Sequence, residues 1–102
     1  MHLVQLFLPL ADNVGDKIPR ATFDAVRERL VVEFGGMTAY ARAPAKGLWA
    51  DEGDEVVVDE LVVYEVIVAD LDREWWSTYR SELEAMFAQQ ELLIRAQRVE
   101  QL

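Results

Sequence analysis

Few side chains in this sequence combine reactive chemistry with a setting that would sharpen it. Glu65 is the one charge in the run LVVYEVIV at 61–68, otherwise built of strand formers. A carboxylate flanked by Tyr64 and Val66 on an apolar strand is costly to ionise unless a cation or a donor meets it. Unpaired, it is the kind of group that serves as a general acid or base. Arg42 and Arg95 are the cations that neighbouring strands could bring to it, and structural pairing is the commoner outcome. The stretch GGMTAYARAPAKGLW at 35–49 carries Tyr40, Arg42 and Trp49 around a break in strand alternation. Pro44 lacks a ladder donor and Gly47 invites a bulge, so the break re-aims Trp49, either into packing or onto a pocket wall. Phe7 lies on the first strand with the same sheet-face parity as Gln5. The candidate ligand-binding set is therefore Glu65, Arg42, Tyr40, Trp49 and Phe7, with no residue assigned a catalytic role.

Other chemistries have less to stand on. With no cysteine, the chain offers no thiol nucleophile, zinc-thiolate site or iron–sulfur cluster. His2 is the single histidine, so no second nitrogen exists to build a transition-metal site, and no metal or cofactor is expected. DNVGD at 12–16 and DEGDE at 51–55 are acidic turns without the bidentate glutamate that closes a calcium loop. Phosphate-binding, dinucleotide and nucleophile-elbow motifs are missing, and Ser77 and Ser81 fall in a helical stretch with no histidine nearby. Nineteen acidic against ten basic residues give a formal charge of −9, which repels nucleic acid and anionic membrane surfaces. The opening MHLVQLFLPLADN lacks the basic flank and cleavage pattern of a signal peptide, and no apolar run reaches the ~18 residues of a membrane span, so a cytoplasmic protein is expected.

The elements that must position the candidates follow from periodicity. Residues 3–10 are an apolar run read as a first strand, followed by turn-forming ADNVGDKIP. Phe23, Val26, Leu30 and Phe34 recur at three and four residues and predict a helix over 20–34, started by Pro19 and ended by Gly35-Gly36. A second strand is expected over 37–42, resuming at 48–50. The third, 56–69, is the strongest β signal, with a kink at Asp59-Glu60. Asp72 caps a helix over 73–89 that turns Trp76, Tyr79 and Leu83 inward and leaves Trp75 at an edge. Residues 92–99 form a last strand.

This order predicts a single α+β domain over 1–102, a ferredoxin-like βαββαβ sandwich with a four-stranded antiparallel sheet and both helices on one face. The third strand is apolar on both sides: Val62, Tyr64, Val66 and Val68 share one, Leu61, Val63 and Ile67 the other with Glu65. A face left uncovered by helices would then be adhesive, which predicts a homodimer packed sheet to sheet, of the dimeric α/β barrel type.

Three stretches, LFLPLADNVG at 6–15, FGGMTAYARAPAKGLW at 34–49 and WWSTYRSELEAMFAQQELLIRA at 75–96, resemble a family of short bacterial proteins of unassigned function. Its pattern, F-G-G-x-T-A-Y-x-R-x-P-A-x-G-x-W followed by W-W-x-x-Y-R, implies a bacterial α+β domain and brings no catalytic residue with it. Two functions are expected from different classes. One is a non-catalytic homodimeric module that binds a small molecule or a partner. The other is a cofactor-free enzyme acting on a small apolar or aromatic substrate.

Overall fold

The computed structural model describes residues 1–36 and 61–102 in full, and between them the backbone of residues 38–40, 49–50 and 56–57. The described elements run β1 (His2–Pro9), α1 (Arg20–Phe34), β2 (Thr38–Tyr40), β3 (Trp49–Ala50), β4 (Val56–Val57), β5 (Leu61–Val68), α2 (Arg73–Met86) and β6 (Ile94–Arg98). The main sheet has the order β2-β5-β1-β6 with antiparallel neighbours throughout, and β3 and β4 pair only with each other.

The four-stranded βαββαβ sandwich is corrected by this topology, although the α+β class stands. Three strands carry the length of the sheet, with β2 adding only a three-residue edge: β1 pairs with β5 from His2↔Val68 to Pro9↔Leu61, and with β6 from His2↔Arg98 to Leu6↔Ile94. The expected second strand contributes only Thr38–Tyr40 at the edge of β5. Its resumption, Trp49–Ala50, belongs to a separate two-stranded sheet, as do Val56 and Val57 from the start of the expected third strand. The sequence contains the reason. Pro44 lacks a ladder donor and Gly47 weakens a strand, and Asp59-Glu60 puts a charge on each face of any strand running through them.

The helices form where local signals agree. Gly35 closes α1 in the left-handed conformation, φ 76°, with its N–H donating to the Val31 carbonyl at 2.8 Å. At the start of α2 the Asp72 side chain accepts from the Trp75 N–H at 3.1 Å. Val26 and Leu30 of α1 and Trp76, Tyr79 and Leu83 of α2 share one buried cluster with Val4, Leu6 and Leu8 of β1 and Tyr64, Val66 and Val68 of β5. Alternation along β1 sends every second side chain into that cluster. Trp75 stays half-buried at the edge of the cluster, as expected. It stacks edge-on against Phe34 at 5.0 Å and Trp76 at 4.7 Å, sealing the cluster where the end of α1 meets the start of α2.

The other sheet face is not uniformly open. Val63 and Glu65 are only 2% and 6% exposed within the single chain, whereas Ile67, two residues on, is 54% exposed.

Candidate functional site

The sequence-predicted residues divide between two places. Glu65 is in register with Gln5 across β1, and Gln5 with Arg95 across β6, so the three form a row on the sheet face turned away from the helices. Gln5 Nε2 donates to the Glu65 carboxylate at 2.5 Å, and Gln5 Oε1 accepts from Arg95 Nε at 2.8 Å. A neutral amide thus stands between carboxylate and guanidinium, passing the donor character of one to the other. Direct pairing of Glu65 with Arg95 is replaced by this relay, and pairing with Arg42 falls outside the described residues. Arg95 also lies over the Phe7 ring, its guanidinium carbon 4.9 Å from the ring centroid. The Tyr40 backbone is in register with Val63, and that of Trp49 with Val57 in the small sheet, so these two strand positions are not side by side in one sheet; their side chains are outside the described residues. No local signal in the sequence singles out Gln5. Only the antiparallel register places this uncharged residue between two charged ones that lie 60 and 90 positions away along the chain.

The second place is a groove of about 1220 Å³ at the end of the sheet. Its walls come from the β1–α1 loop, the first turns of α1, the start of β5 and the α2–β6 connection, with Phe7, Phe23 and Tyr64 as its aromatic surfaces. The loop is tightly built. Asp12 accepts from the N–H groups of Val14 at 3.0 Å and Asp16 at 2.8 Å, Gly15 takes φ 90°, and Ile18 is buried as an anchor. Two bonds clasp it to the opposite wall: Gln89 Nε2 donates to the Ala11 carbonyl at 3.0 Å, and the Asn13 N–H to the Ala88 carbonyl at 3.1 Å. Glu84 fixes the far wall by accepting from the Leu92 N–H at 3.0 Å.

At the groove floor Phe23 meets Phe87 edge to face at 5.3 Å and Tyr64 at 6.5 Å. Burial pushes the Tyr64 hydroxyl above its ordinary pKa, with nearby Arg27 opposing and Asp24 adding to the rise, so it is a neutral hydroxyl at physiological pH. Asp24 and Arg27 pair one helical turn apart on the lip. Lys17, Arg20 and Arg27 face Asp12, Asp24 and Glu91 around the groove, an even balance in a chain of charge −9. Of the predicted set, Phe7 lines this groove and Glu65 does not. The loop's clasp could not be found from sequence, because Gln89 and Ala11 are 78 residues apart. Among the described residues no group of three or more acidic or histidine side chains is arranged to hold a metal ion. None of the described helices is long and apolar enough to cross a membrane.

No family model matches the chain, and no curated protein matches it. Among solved structures it is similar to a phage SAM lyase in complex with S-methyl-5′-thioadenosine, with a TM-score of 0.56 and 14% identity over 94% of this chain and 79% of that one. At that identity the likeness is one of fold.

Proposed function

We propose that this protein is a small-molecule-binding module whose ligand, an amphipathic molecule bearing an aromatic ring, occupies the groove between the β1–α1 loop and the α2–β6 connection. The observation that carries this reading is the lining: aromatic faces at the floor and charges of both signs at the rim, on walls held by side-chain clasps. Such a surface binds through a few directed polar contacts around an apolar centre. Binding fits better than catalysis because several of the groove's polar groups are already engaged. Asp12 is taken by backbone N–H groups, Asp24 by Arg27, and the Tyr64 hydroxyl holds its proton. A thermal-shift screen of metabolites, followed by calorimetry, tests the reading. Binding that Phe23→Ala weakens supports it, and a panel without a single stabilising compound counts against it.

The homodimer belongs to the same proposal. Ile67 is exposed on the sheet face away from the helices, with Leu3 half-buried opposite it and Phe7 half-buried farther along the same face of β1, and apolar side chains so placed favour a second copy. Light scattering at micromolar concentration then gives twice the 11.7 kDa chain mass, and a monomer overturns this part.

A second reading, a cofactor-free enzyme, draws support from the lyase of similar fold and the nucleoside thioether held in its structure. S-methyl-5′-thioadenosine therefore belongs in the screen. Loss of SAM on incubation with the protein would favour this reading over simple binding.

A further inference from the structure

The charges around the groove do not cancel once their partners within the chain are counted. Asp12 accepts from two backbone N–H groups and Asp24 pairs with Arg27, so both carboxylates are satisfied. Lys17 and Arg20 also line the groove, are exposed, and have no ionic partner among the described residues. Glu91, on the opposite wall, is the groove carboxylate left over. Beside the two cations α1 begins bare. Its N-cap is Pro19, which offers no side-chain acceptor, and its first turn holds no acidic residue. The Thr22 N–H returns to the Pro19 carbonyl at 3.0 Å, and those of Arg20 and Ala21 have no partner among the described residues, at the positive end of the helix dipole.

A buried side chain opens onto the same groove. Tyr64 is 7% exposed, and no described residue hydrogen-bonds to its hydroxyl. The buried side-chain atoms that are both sealed from solvent and unpartnered, among the described residues, are His2 Nδ1 and the Tyr79 hydroxyl; the Tyr64 oxygen is not one of them and so keeps some accessible surface. That surface belongs to the groove, which Tyr64 lines together with Asp24 and Arg27, the two charges that act on the hydroxyl. Burial keeps the group protonated, so it is a donor that the chain itself leaves unanswered, at a cost that a bound acceptor would remove. Arg20 precedes Phe23 and Asp24 by about 4.5–6 Å along the axis of α1. A ring seated on Phe23 and Tyr64 therefore needs a spacer of a few bonds to bring a charged end to the start of the helix.

Resting on the groove as the ligand site, we propose that the aromatic part of the ligand accepts a hydrogen bond from the Tyr64 hydroxyl and carries an oxyanion, carboxylate or phosphate, on a short spacer. The oxyanion docks on the free N–H groups of Arg20 and Ala21, beside the Lys17 and Arg20 side chains. A cationic tail would be repelled there, and a neutral one would leave both cations and the helix dipole unused.

Calorimetry on the full chain compares adenosine 5′-monophosphate with adenosine, and 3-(pyridin-3-yl)propanoate with its carboxamide. At least one oxyanion binds saturably and at least tenfold more tightly than its neutral counterpart, and which pair shows this distinguishes phosphate from carboxylate. Lys17→Gln and Arg20→Gln each weaken the oxyanion severalfold and leave the neutral counterpart unchanged. In amide NMR the Arg20 and Ala21 signals move with the oxyanion and not with its counterpart. Tyr64→Phe keeps the ring and weakens both members of the pair severalfold, the loss of one hydrogen bond, with an unchanged thermal midpoint. Equal binding of charged and neutral members, if Phe23→Ala weakens both, overturns the oxyanion site and leaves the groove reading standing. No binding by any of the four at millimolar concentration overturns the oxyanion site as well, and the metabolite screen then decides the groove by itself. Full affinity in Tyr64→Phe, or amide shifts confined to places other than the first turn of α1, would each overturn the proposal.

Discussion

Replacing Gln5 with methionine keeps the length of the side chain and deletes the amide that joins Glu65 to Arg95. The bond to Glu65 is charge-assisted, short at 2.5 Å, and made to a carboxylate that is 6% exposed, so water cannot readily take the amide's place. A hydrogen bond to a charged group contributes about 1.5–3 kcal/mol. The bond from Arg95 adds about 0.5 kcal/mol at most, since Arg95 is exposed and water can replace its partner. Gln5→Met is therefore expected to cost about 2–3 kcal/mol, a fall in thermal midpoint of roughly 10 °C or more for a domain of this size. Urea unfolding followed by tryptophan fluorescence measures it, with an unchanged denaturant slope showing that the loss is one of stability. In a Glu65→Gln background the same change removes only a neutral bond, worth about 1 kcal/mol. The double-mutant cycle should thus show a coupling of about 1–2 kcal/mol between positions 5 and 65. A cost below about 0.5 kcal/mol for Gln5→Met, or equal costs in the two backgrounds, would refute the relay as a stabilising contact.

Three further outcomes are expected. Ala88 takes φ 49° in the turn that holds the groove wall, a conformation costly for a residue with a Cβ, so Ala88→Gly should raise stability by about 0.5–1 kcal/mol in chemical denaturation. Because the Tyr79 pKa is raised to about 12 in the folded chain, the unfolded chain loses this proton first; stability should fall between pH 10 and 12, and Tyr79→Phe should flatten that limb in pH-dependent unfolding. Leu30→Ala, at a fully buried position of α1, should cost about 2–5 kcal/mol, whereas Val32→Ala, 81% exposed on the same helix, should change stability by less than about 0.5 kcal/mol in the same assay.

Local chemistry makes much of the scaffold legible in the sequence. The bounds of α1 at 20–34 follow from Pro19, the Phe23–Phe34 spacing and Gly35, all within contact range along the chain. The start of α2 follows from Asp72 in the same way, and its end at Met86 falls short of the expected 89 because Phe87 turns into the core and Ala88 leaves helical geometry. Period-two alternation sorts Val4, Leu6 and Leu8 from Leu3, Gln5 and Phe7 correctly by side. It fails at 49–50 and 56–57, which read as parts of two long strands and instead pair with each other. Strand propensity reports fitness for a pleated surface but not which partner the strand finds.

What the sequence by itself determined is the set of short-range signals: the caps, the two helical faces, the alternation of β1, the two-sided apolar character of β5, and a carboxylate embedded in that apolar run. What only the tertiary structure decided is which groups meet. Gln5 comes between Glu65 and Arg95 through a register shared by three strands. Gln89 reaches Ala11 across 78 residues to build a groove wall, and Arg29 crosses from one helix to lie over Trp75 and Tyr79 of the other. The physical reason is range. Capping and periodicity act within one or two turns of chain, where the sequence places the partners side by side, whereas pairing across a sheet or between helices depends on how apolar faces close over one another, a choice made by the whole core at once.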